Sequence, residues 1–298
     1  MTGPGEIPPP AGRPAEEDRV PRAGEGGVPT MVQAGRGLVA AAASRGLAVR
    51  LLGGVAIWIR SSEAARAALG RAYPDIDLVA HKRQSRELRA VLEEEGLEPE
   101  QMFNATHGAR RLLYHGPPAQ PHAPPGHLHG APAAGPAPGS TGDAWHVDVF
   151  LDTFEMSHTL DLGARLEAEE ETLAAAELLL TKLQIAEVNR KDLSDVAMLL
   201  WDHEPADSDG PGRLNLARMA KLCGEDWGLY TTTTGNLAAC ADLLGEVVAD
   251  TDDRARIAGR IGAVTGALEA APKTISWRMR ARVGRRVRWY EVPEEVVR

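Results

Sequence analysis

The spacing of apolar side chains divides the chain into two parts of different periodicity. Up to about residue 155, short apolar runs typical of strands alternate with stretches whose apolar residues recur three and four positions apart, as in amphipathic helices. From residue 156 onwards, nearly every stretch has the helical spacing. We therefore predict an α+β protein in which a small mixed sheet is followed by a helical bundle.

In the first part, the pattern predicts helices and strands in alternation. The helical stretches are residues 35–46, 56–70 and 83–96, and the last of them ends at a glycine, which commonly terminates a helix. The strand candidates are residues 48–52, 75–80, 102–106, 110–114 and 146–152. This order predicts a sheet of roughly four or five strands.

In the second part, the pattern predicts one helix after another. The helical stretches are residues 166–189, 191–203, 212–224, 235–250, 252–270 and 273–284. We interpret the threonines of residues 231–235 as a loop and helix cap. Residues 287–297 are interpreted as a short strand or an extended tail.

Two segments rich in proline, glycine and alanine interrupt these patterns and set the domain boundaries. Residues 1–34 are predicted to be a disordered tail, and residues 116–142 a linker-like insertion, because strand candidates flank it on both sides. The predicted α/β domain is residues 35–155, with this insertion inside it. The predicted helical domain is residues 156–298, with a basic segment near its end.

Composition limits the environment of the protein. The formal net charge of −9 argues against a protein coated in nucleic acid, although it allows a local basic patch. Two cysteines, Cys223 and Cys240, are too few for a disulfide framework. The N-terminus has no apolar signal-peptide core, and Arg45 and Arg50 interrupt the most apolar window. We therefore expect a cytoplasmic protein with no membrane contact.

Three carboxylates stand out on strand candidates. Asp75 and Asp77 share one face of a strand, about 7 Å apart along the chain, and such a pair repels unless a cation lies between the two charges. Asp148, flanked by apolar residues, lies on another strand candidate, and Asp152 in the same segment competes for its role. Hard oxygen ligands suit Mg²⁺, and three carboxylates could hold two such ions around a phosphoryl group.

A glycine pair precedes the first two acids. Gly53 and Gly54 follow a strand candidate and open a helix, where backbone amides can approach a phosphate. A glycine pair after a strand is most often a plain turn, and carboxylates on a strand are often solvated. The order of strand, glycine pair, helix, paired acids and a later acid is far more specific than any of its parts.

These residues resemble the pattern of the DNA polymerase beta-type nucleotidyltransferase superfamily. The matching residues are Gly53, Gly54, Asp75, Asp77 and Asp148. Within the superfamily, the chain looks most like the AbiEii-type toxins, over roughly residues 37–202. The residues that match this group are Arg71, before the first acid, then Lys182, and an element made of Arg190, Asp192 and Asp195. Tyr73 departs from the pattern, since serine or threonine is usual there.

The resemblance implies an Mg²⁺-dependent enzyme, with two metal ions, that transfers a nucleotide from an NTP to an acceptor hydroxyl. It implies that Asp75, Asp77 and Asp148 bind the metal ions, Asp148 also helping to deprotonate the acceptor. Gly53, Gly54 and Arg71 would contact the nucleotide, and Lys182 would neutralise triphosphate charge. Asp192 would orient Lys182 or serve the acceptor. RNA (tRNA included), a protein or a small molecule is the candidate acceptor, and an antitoxin protein is a candidate partner.

Two other interpretations remain open. The fold could bind a nucleotide, an RNA or a partner protein without doing chemistry. The basic and aromatic residues of 273–290 could hold a nucleic acid, or they could be a basic helix face that pairs with glutamates of the bundle and ends in a packed tryptophan. The insertion histidines His122, His127 and His129 are interpreted as decoration rather than as a metal site.

Overall fold

The computed structural model describes residues 28–116 and 145–292. The tail up to residue 27, the insertion from residue 117 to residue 144 with its three histidines, and residues 293–298 lie outside the described residues. The predictions made for those segments therefore have no structural counterpart here.

A five-stranded mixed sheet forms the centre of the first part of the chain. Its strands, numbered in chain order, are β1 (Val49–Leu52), β2 (Asp75–Ala80), β3 (Glu98–Pro99), β4 (Arg111–His115) and β5 (His146–Leu151). Their order in the sheet is β1-β2-β5-β4-β3, and β2 and β5 are parallel while all other neighbours are antiparallel. The predicted α+β class, with a small mixed sheet, is confirmed.

Within residues 28–116, five α-helices accompany this sheet. They are α1 (Val28–Ser44), α2 (Gly53–Arg60), α3 (Glu63–Leu69), α4 (Ser85–Glu94) and α5 (Gln101–His107). Helix α1 packs on β1, α2 and α4, and it begins inside the stretch predicted to be a disordered tail. Gly116 and Trp145, the described residues on either side of the insertion, are joined by a backbone hydrogen bond, so the insertion leaves and rejoins the sheet at one point.

Helices dominate the second part of the chain, with two short strand pairs among them. The helices are α6 (Ala175–Leu183), α7 (Arg190–Asp202), α8 (Leu216–Glu225), α9 (Trp227–Val247), α10 (Thr251–Ala270) and α11 (Ile275–Val283). The strands are β6 (Thr153–Glu155) with β7 (Thr159–Asp161), and β8 (Glu204–Ala206) with β9 (Arg213–Asn215). The β6–β7 hairpin crosses the domain boundary that we predicted at residue 156.

The strand predicted at residues 102–106 is wrong, because these residues form α5. The amide of Asn104 donates to the carbonyl of Leu113, and its side-chain oxygen accepts from the backbone nitrogen of Leu113. Asn104 thereby forms hydrogen bonds with both backbone groups of Leu113 in β4, and the helix lies against that strand. Met102, whose apolar side chain suggested a buried strand, is exposed.

Two predicted helices are shorter than expected. The stretch 56–70 divides into α2 and α3, because Ser62 caps the second helix by accepting from the backbone nitrogen of Ala65. Of the stretch 166–189, the acidic first part forms turns and bends, and the residues around Thr172 then run beside β1. There Leu51 donates to the carbonyl of Glu171 and accepts from the nitrogen of Leu173. This contact covers the outer edge of β1, which would otherwise leave backbone groups unpaired.

The threonines predicted to form a loop at residues 231–235 lie inside α9 instead. The hydroxyls of Thr231 and Thr234 donate to the carbonyls of Trp227 and Tyr230, one turn earlier. Thr232 and Thr233 are buried in the bundle. The hydroxyls of Thr231 and Thr234 therefore find partners along the helix itself, and a polar sequence continues as a helix.

Helix α2 joins the sheet to the bundle and so positions the candidate site. It packs on β1 and β2, and also on α6 and α7. Its first residues, Gly53 and Gly54, are buried at the end of β1. Among the described residues, none of the helices has the length and apolar content that crossing a bilayer requires.

Candidate active site

Two of the predicted acids are direct neighbours in the sheet. Asp77 on β2 and Asp148 on β5 are register partners in the parallel pair, and Asp75 is the register partner of His146. Register partners on neighbouring strands point to the same face, so the three acids share one side of the sheet. Asp148 is almost fully buried, while Asp75 and Asp77 are partly exposed. Asp152 is outside this register and lies near His81 instead.

The environment of Asp77 favours its protonated form. Burial raises the pKa of Asp77, and the neighbouring charges of Asp148 and Asp75 raise it further, while Lys182 and Arg111 oppose them. A carboxylate pair of this kind has an excess of negative charge that a divalent cation would relieve. The electrostatics of Asp77 therefore fit a cation-binding position.

Asp148 is held in place by an arginine of the neighbouring strand. Nε and Nη2 of Arg111 lie 2.9 and 2.8 Å from Oδ1 of Asp148. The guanidinium of Arg111 also stacks over Phe150 and Phe103, at 5.0 and 5.7 Å from their ring centres. These contacts fix the direction in which the Asp148 carboxylate points, and they offset part of the cost of its burial.

The glycine pair makes close contact with the site. Gly53 has a φ of 67°, in the left-handed region that favours glycine, and a β-carbon at this position would lie 1.9 Å from Oδ2 of Asp77. A β-carbon on Gly54 would lie 2.0 Å from Cδ1 of Tyr73. The start of α2 therefore approaches Asp77 and Tyr73 more closely than any residue with a side chain could.

A buried carboxylate, Asp195 on α7, links several predicted residues. Nε and Nη2 of Arg71 lie 3.2 and 2.7 Å from its two oxygens. Nζ of Lys182 is 2.9 Å from Oδ2, and the hydroxyl of Tyr73 donates to Oδ1 over 3.2 Å. Asp195 therefore joins the segment before β2 to helices α6 and α7. Burial, followed by the charge of Asp195, raises the pKa of Tyr73, so this phenol stays protonated.

Lys182 stays charged within this network. Its Nζ is also 2.9 Å from Oδ1 of Asp192. Burial by itself would lower the pKa of Lys182, but the charges of Asp195 and Asp192 raise it above its usual value. The ammonium lies near enough to Asp77 to lower the pKa of that carboxyl. Lys182 therefore connects the acids of the sheet with the acids of α7.

The fold brings most of the predicted site residues into one cluster. Asp75, Asp77 and Asp148 lie on one face of the sheet, beside Gly53 and Gly54, while Lys182 borders them. Arg71 and Asp192 join the cluster through Asp195 and Lys182 rather than by contact with the sheet acids. Arg190 does not join it: this arginine pairs with Glu246 on the surface.

Sequence reasoning left three residues out of its list of site residues. Asp195 lies three positions after Asp192 on a helix and therefore on nearly the same face, which is the signal that could have included it. Tyr73 was treated only as a departure from a family pattern. Arg111 lies on a strand candidate, but its contact with Asp148 depends on strand pairing, which a single sequence does not specify.

A polar row continues from Asp75 across the sheet. His146, beside Asp75, has its Nδ1 atom 3.0 Å from Nδ1 of His115. Nε2 of His115 is 3.2 Å from Oε2 of Glu100. The described ends of the insertion lie next to these two histidines in sequence. The insertion is therefore attached at one end of the same polar face that carries the acids.

The acids alone do not form a complete metal cage. Within residues 28–116 and 145–292, no three side chains of His, Cys, Asp or Glu converge closely enough to hold an ion. Mg²⁺ is usually bound by one or two carboxylates, with substrate phosphates and water filling the other positions. The hard oxygens of Asp77 and Asp148, beside the backbone of Gly53, fit a Mg²⁺ ion that arrives with a nucleotide.

Comparison with known proteins adds no identification. A scan against protein-family models finds no match, and a search of curated proteins finds no relative.

Proposed function

We propose that this protein is a nucleotidyltransferase, which transfers a nucleotide from an NTP to an acceptor hydroxyl. The observation that carries the proposal is the pairing of Asp77 with Asp148 on parallel strands, with Gly53 packed directly against Asp77. Two carboxylates side by side favour a cation between them, and glycines at a helix start let backbone amides approach a phosphate group. This combination fits phosphoryl transfer better than a structural role.

Each residue of the cluster has a chemical task in this proposal. Asp75, Asp77 and Asp148 hold the metal ions, and Gly53 and Gly54 let backbone amides approach the phosphates. When bound, Mg²⁺ supplies charge neutralisation for the phosphates and the acceptor oxygen. Asp148, oriented by Arg111, helps to remove the proton of the acceptor hydroxyl.

The remaining charges position the nucleotide. Lys182 presents a fixed positive charge beside Asp77, held by Asp192 and Asp195. Arg71 keeps Asp195 in place, and Asp195 in turn holds Lys182. In the transfer, the acceptor oxygen forms a bond with the α-phosphorus, the bond from that phosphorus to the bridging oxygen breaks, and pyrophosphate leaves. Positioning and charge neutralisation account for most catalysis in reactions of this class.

The acceptor in this proposal is an RNA (tRNA included), a protein or a small molecule. A toxin that is controlled by an antitoxin protein is one form of such an enzyme. The cytoplasm, where NTPs and these acceptors are found, is the proposed location.

A nucleotide-binding protein without catalytic activity is the second candidate. Two observations favour it: Arg111 already engages Asp148, and Lys182 already has two carboxylate partners. A binder would use the same cluster to hold the phosphates of a nucleotide, and its Asp148 would stay paired with Arg111. The two candidates differ in whether pyrophosphate is released.

Pyrophosphate release tests the proposal directly. The full chain is incubated with Mg²⁺, each labelled NTP and total cellular RNA or lysate, and both label transfer and pyrophosphate are measured. We expect transfer from at least one NTP, and a loss of at least about a hundredfold in Asp77→Asn and Asp148→Asn, because each removes a proposed metal ligand.

Asp152→Asn is the matched control. Asp152 belongs to the same segment as Asp148 but contacts His81, and asparagine tolerates its positive φ. Its activity should equal that of the wild type. Nucleotide binding without pyrophosphate release would favour the second candidate. Equal activity in Asp77→Asn, Asp148→Asn and Asp152→Asn would refute the assignment of Asp77 and Asp148 as metal ligands.

A further inference from the structure

Exposed apolar side chains are concentrated near the C-terminus of the chain. In the described residues, the large apolar side chains that remain exposed are Met102, Ile275, Met279, Val283, Val287 and Val292. All but Met102 lie between residues 275 and 292. A contiguous exposed apolar patch commonly marks an interaction surface.

Helix α11 is attached to the bundle through the face opposite to Ile275, Met279 and Val283. Nε1 of Trp277 donates to the carbonyl of Cys223, and its ring packs edge-on against Tyr230. The guanidinium of Arg280 stacks over Trp227, 4.8 Å from its ring centre, and donates to the carbonyls of Gly284 and Val287. These contacts fix which side of α11 faces away from the protein.

The outward side of α11 combines apolar residues with arginines. Ile275, Met279 and Val283 are four positions apart, so they form a stripe along the helix, and they are 80, 55 and 42 % exposed. Arg278 and Arg282 lie three positions after Ile275 and Met279, and therefore beside this stripe. The outward face is thus both apolar and basic.

Ion pairs among the described residues do not neutralise the charge of residues 273–290. Residues 273–290 contain no Asp or Glu, but seven Lys and Arg. In the described part of this region no arginine pairs with a carboxylate. The ion pairs of the helical part involve Arg165, Lys182, Arg190, Arg218, Arg256 and Arg260 instead. A partner with negative charge would supply carboxylates that the described residues do not pair with these arginines.

We infer that the outward face of α11 is a docking surface for an acidic amphipathic helix of another protein. Such a helix would place its apolar side chains on Ile275, Met279 and Val283 and its carboxylates beside Arg278 and Arg282. Met and Arg are enriched at protein interfaces, and helix-on-helix contacts use anchors at this spacing. The inference does not depend on nucleotide transfer.

The arrangement of the aromatic residues argues against a nucleic acid as the occupant. Nε1 of Trp289 donates to Thr232, and its ring packs against Trp227 and Tyr290. The tryptophans that could stack on bases are thus occupied within the protein. A second copy of the chain packing α11 on α11 would bring arginines against arginines, which like-charge repulsion disfavours.

Binding of synthetic probes tests the docking surface. The main probe is a fluorescent amphipathic peptide with leucines on one helical face and glutamates on the other, and its counterpart has glutamine in place of glutamate. We expect the full chain to bind the glutamate peptide at least about tenfold more tightly than the glutamine peptide. Met279→Asp and Arg282→Glu should each weaken that binding about tenfold or more.

Met102→Asp is the matched control, because Met102 is exposed but lies on α5. It should leave peptide binding unchanged, and circular dichroism checks that every variant is folded. The inference is overturned if neither peptide binds, or if Met279→Asp binds like Met102→Asp. It is also overturned if single-stranded RNA or phosphatidylserine vesicles bind more tightly than the peptide, or if Met279→Asp abolishes self-association of the chain.

Discussion

At the scale of single residues, the contact between Gly53 and Asp77 limits what can occupy either position. Gly53 combines a left-handed backbone conformation with a neighbour that leaves no room for a β-carbon. Gly96 has a φ of 85° but nothing within 4 Å of its missing β-carbon. Substitutions at the two glycines can therefore be compared to separate the free-energy cost of backbone strain from the cost of a clash with Asp77.

Replacing Gly53 with alanine should damage both stability and the site. The left-handed conformation alone costs about 1–2 kcal/mol, and the clash with Asp77 adds to it. We expect Gly53→Ala to lower the free energy of unfolding by about 3 kcal/mol, and Gly96→Ala by only about 1 kcal/mol, measured by urea denaturation. Equal losses in both variants would contradict the close approach of Gly53 to Asp77.

The carboxyl of Asp77 should make stability depend on pH. Burial, Asp148 and Asp75 raise the pKa of Asp77 from 3.8 to about 7 in the folded protein. Between these two values the folded state holds a proton that the unfolded state has released. The free energy of unfolding should therefore decrease as the pH rises through this range.

Asp77→Asn removes this titration. At pH 8 without divalent ions, the variant should be more stable than the wild type by about 1–2 kcal/mol, and near pH 4 the two should be equal. Urea denaturation at both pH values measures the difference. A variant that is less stable than the wild type at pH 8 would mean that the Asp77 carboxylate is stabilised rather than strained by its neighbours.

At the scale of elements, the local sequence pattern was wrong for two segments whose polar groups find partners outside their own element. Asn104 bonds to the backbone of β4 and so keeps α5 beside the sheet. Glu171 and Leu173 extend along β1 instead of continuing a helix. In both segments, hydrogen bonds to a distant strand outweigh the intrinsic preference of the residues.

At the scale of the whole molecule, Asp195 joins the two parts of the chain. It lies on α7 in the helical part, and Arg71 and Tyr73 reach it from the segment before β2. Helix α2 packs between the sheet and helices α6 and α7 in the same region. The α/β part and the helical part therefore share a buried charged contact beside the candidate site.

Asp195→Asn should show how much this contact contributes to the free energy of unfolding. Removing one charge leaves Arg71 without its carboxylate partner, and breaking a buried ion pair in this way costs about 3 kcal/mol or more. Glu246→Gln is the control, because it removes an exposed ion pair with Arg190, which contributes less than about 1 kcal/mol. Urea unfolding followed by tryptophan fluorescence measures both, and equal losses would refute the linking role of Asp195.

The α+β class and most elements that line the site follow from the amino-acid sequence alone. Alternating apolar residues around Asp75, Asp77 and Asp148 indicated strands, because a strand with one buried face needs this period. The helix after Gly53 followed from the glycine pair and the spacing of the residues after it. The order of the glycines and acids was also enough to suggest which chemistry to look for.

How these elements meet follows from tertiary contacts and not from the local pattern. Strand pairing made Asp148 rather than Asp152 the neighbour of Asp77, and it placed Arg111 on Asp148. Helix packing gave Asp195 its partners and left the apolar stripe of α11 exposed. The physical reason is that register and packing depend on contacts between residues far apart in the chain, whereas periodicity reports only which face of one element is apolar.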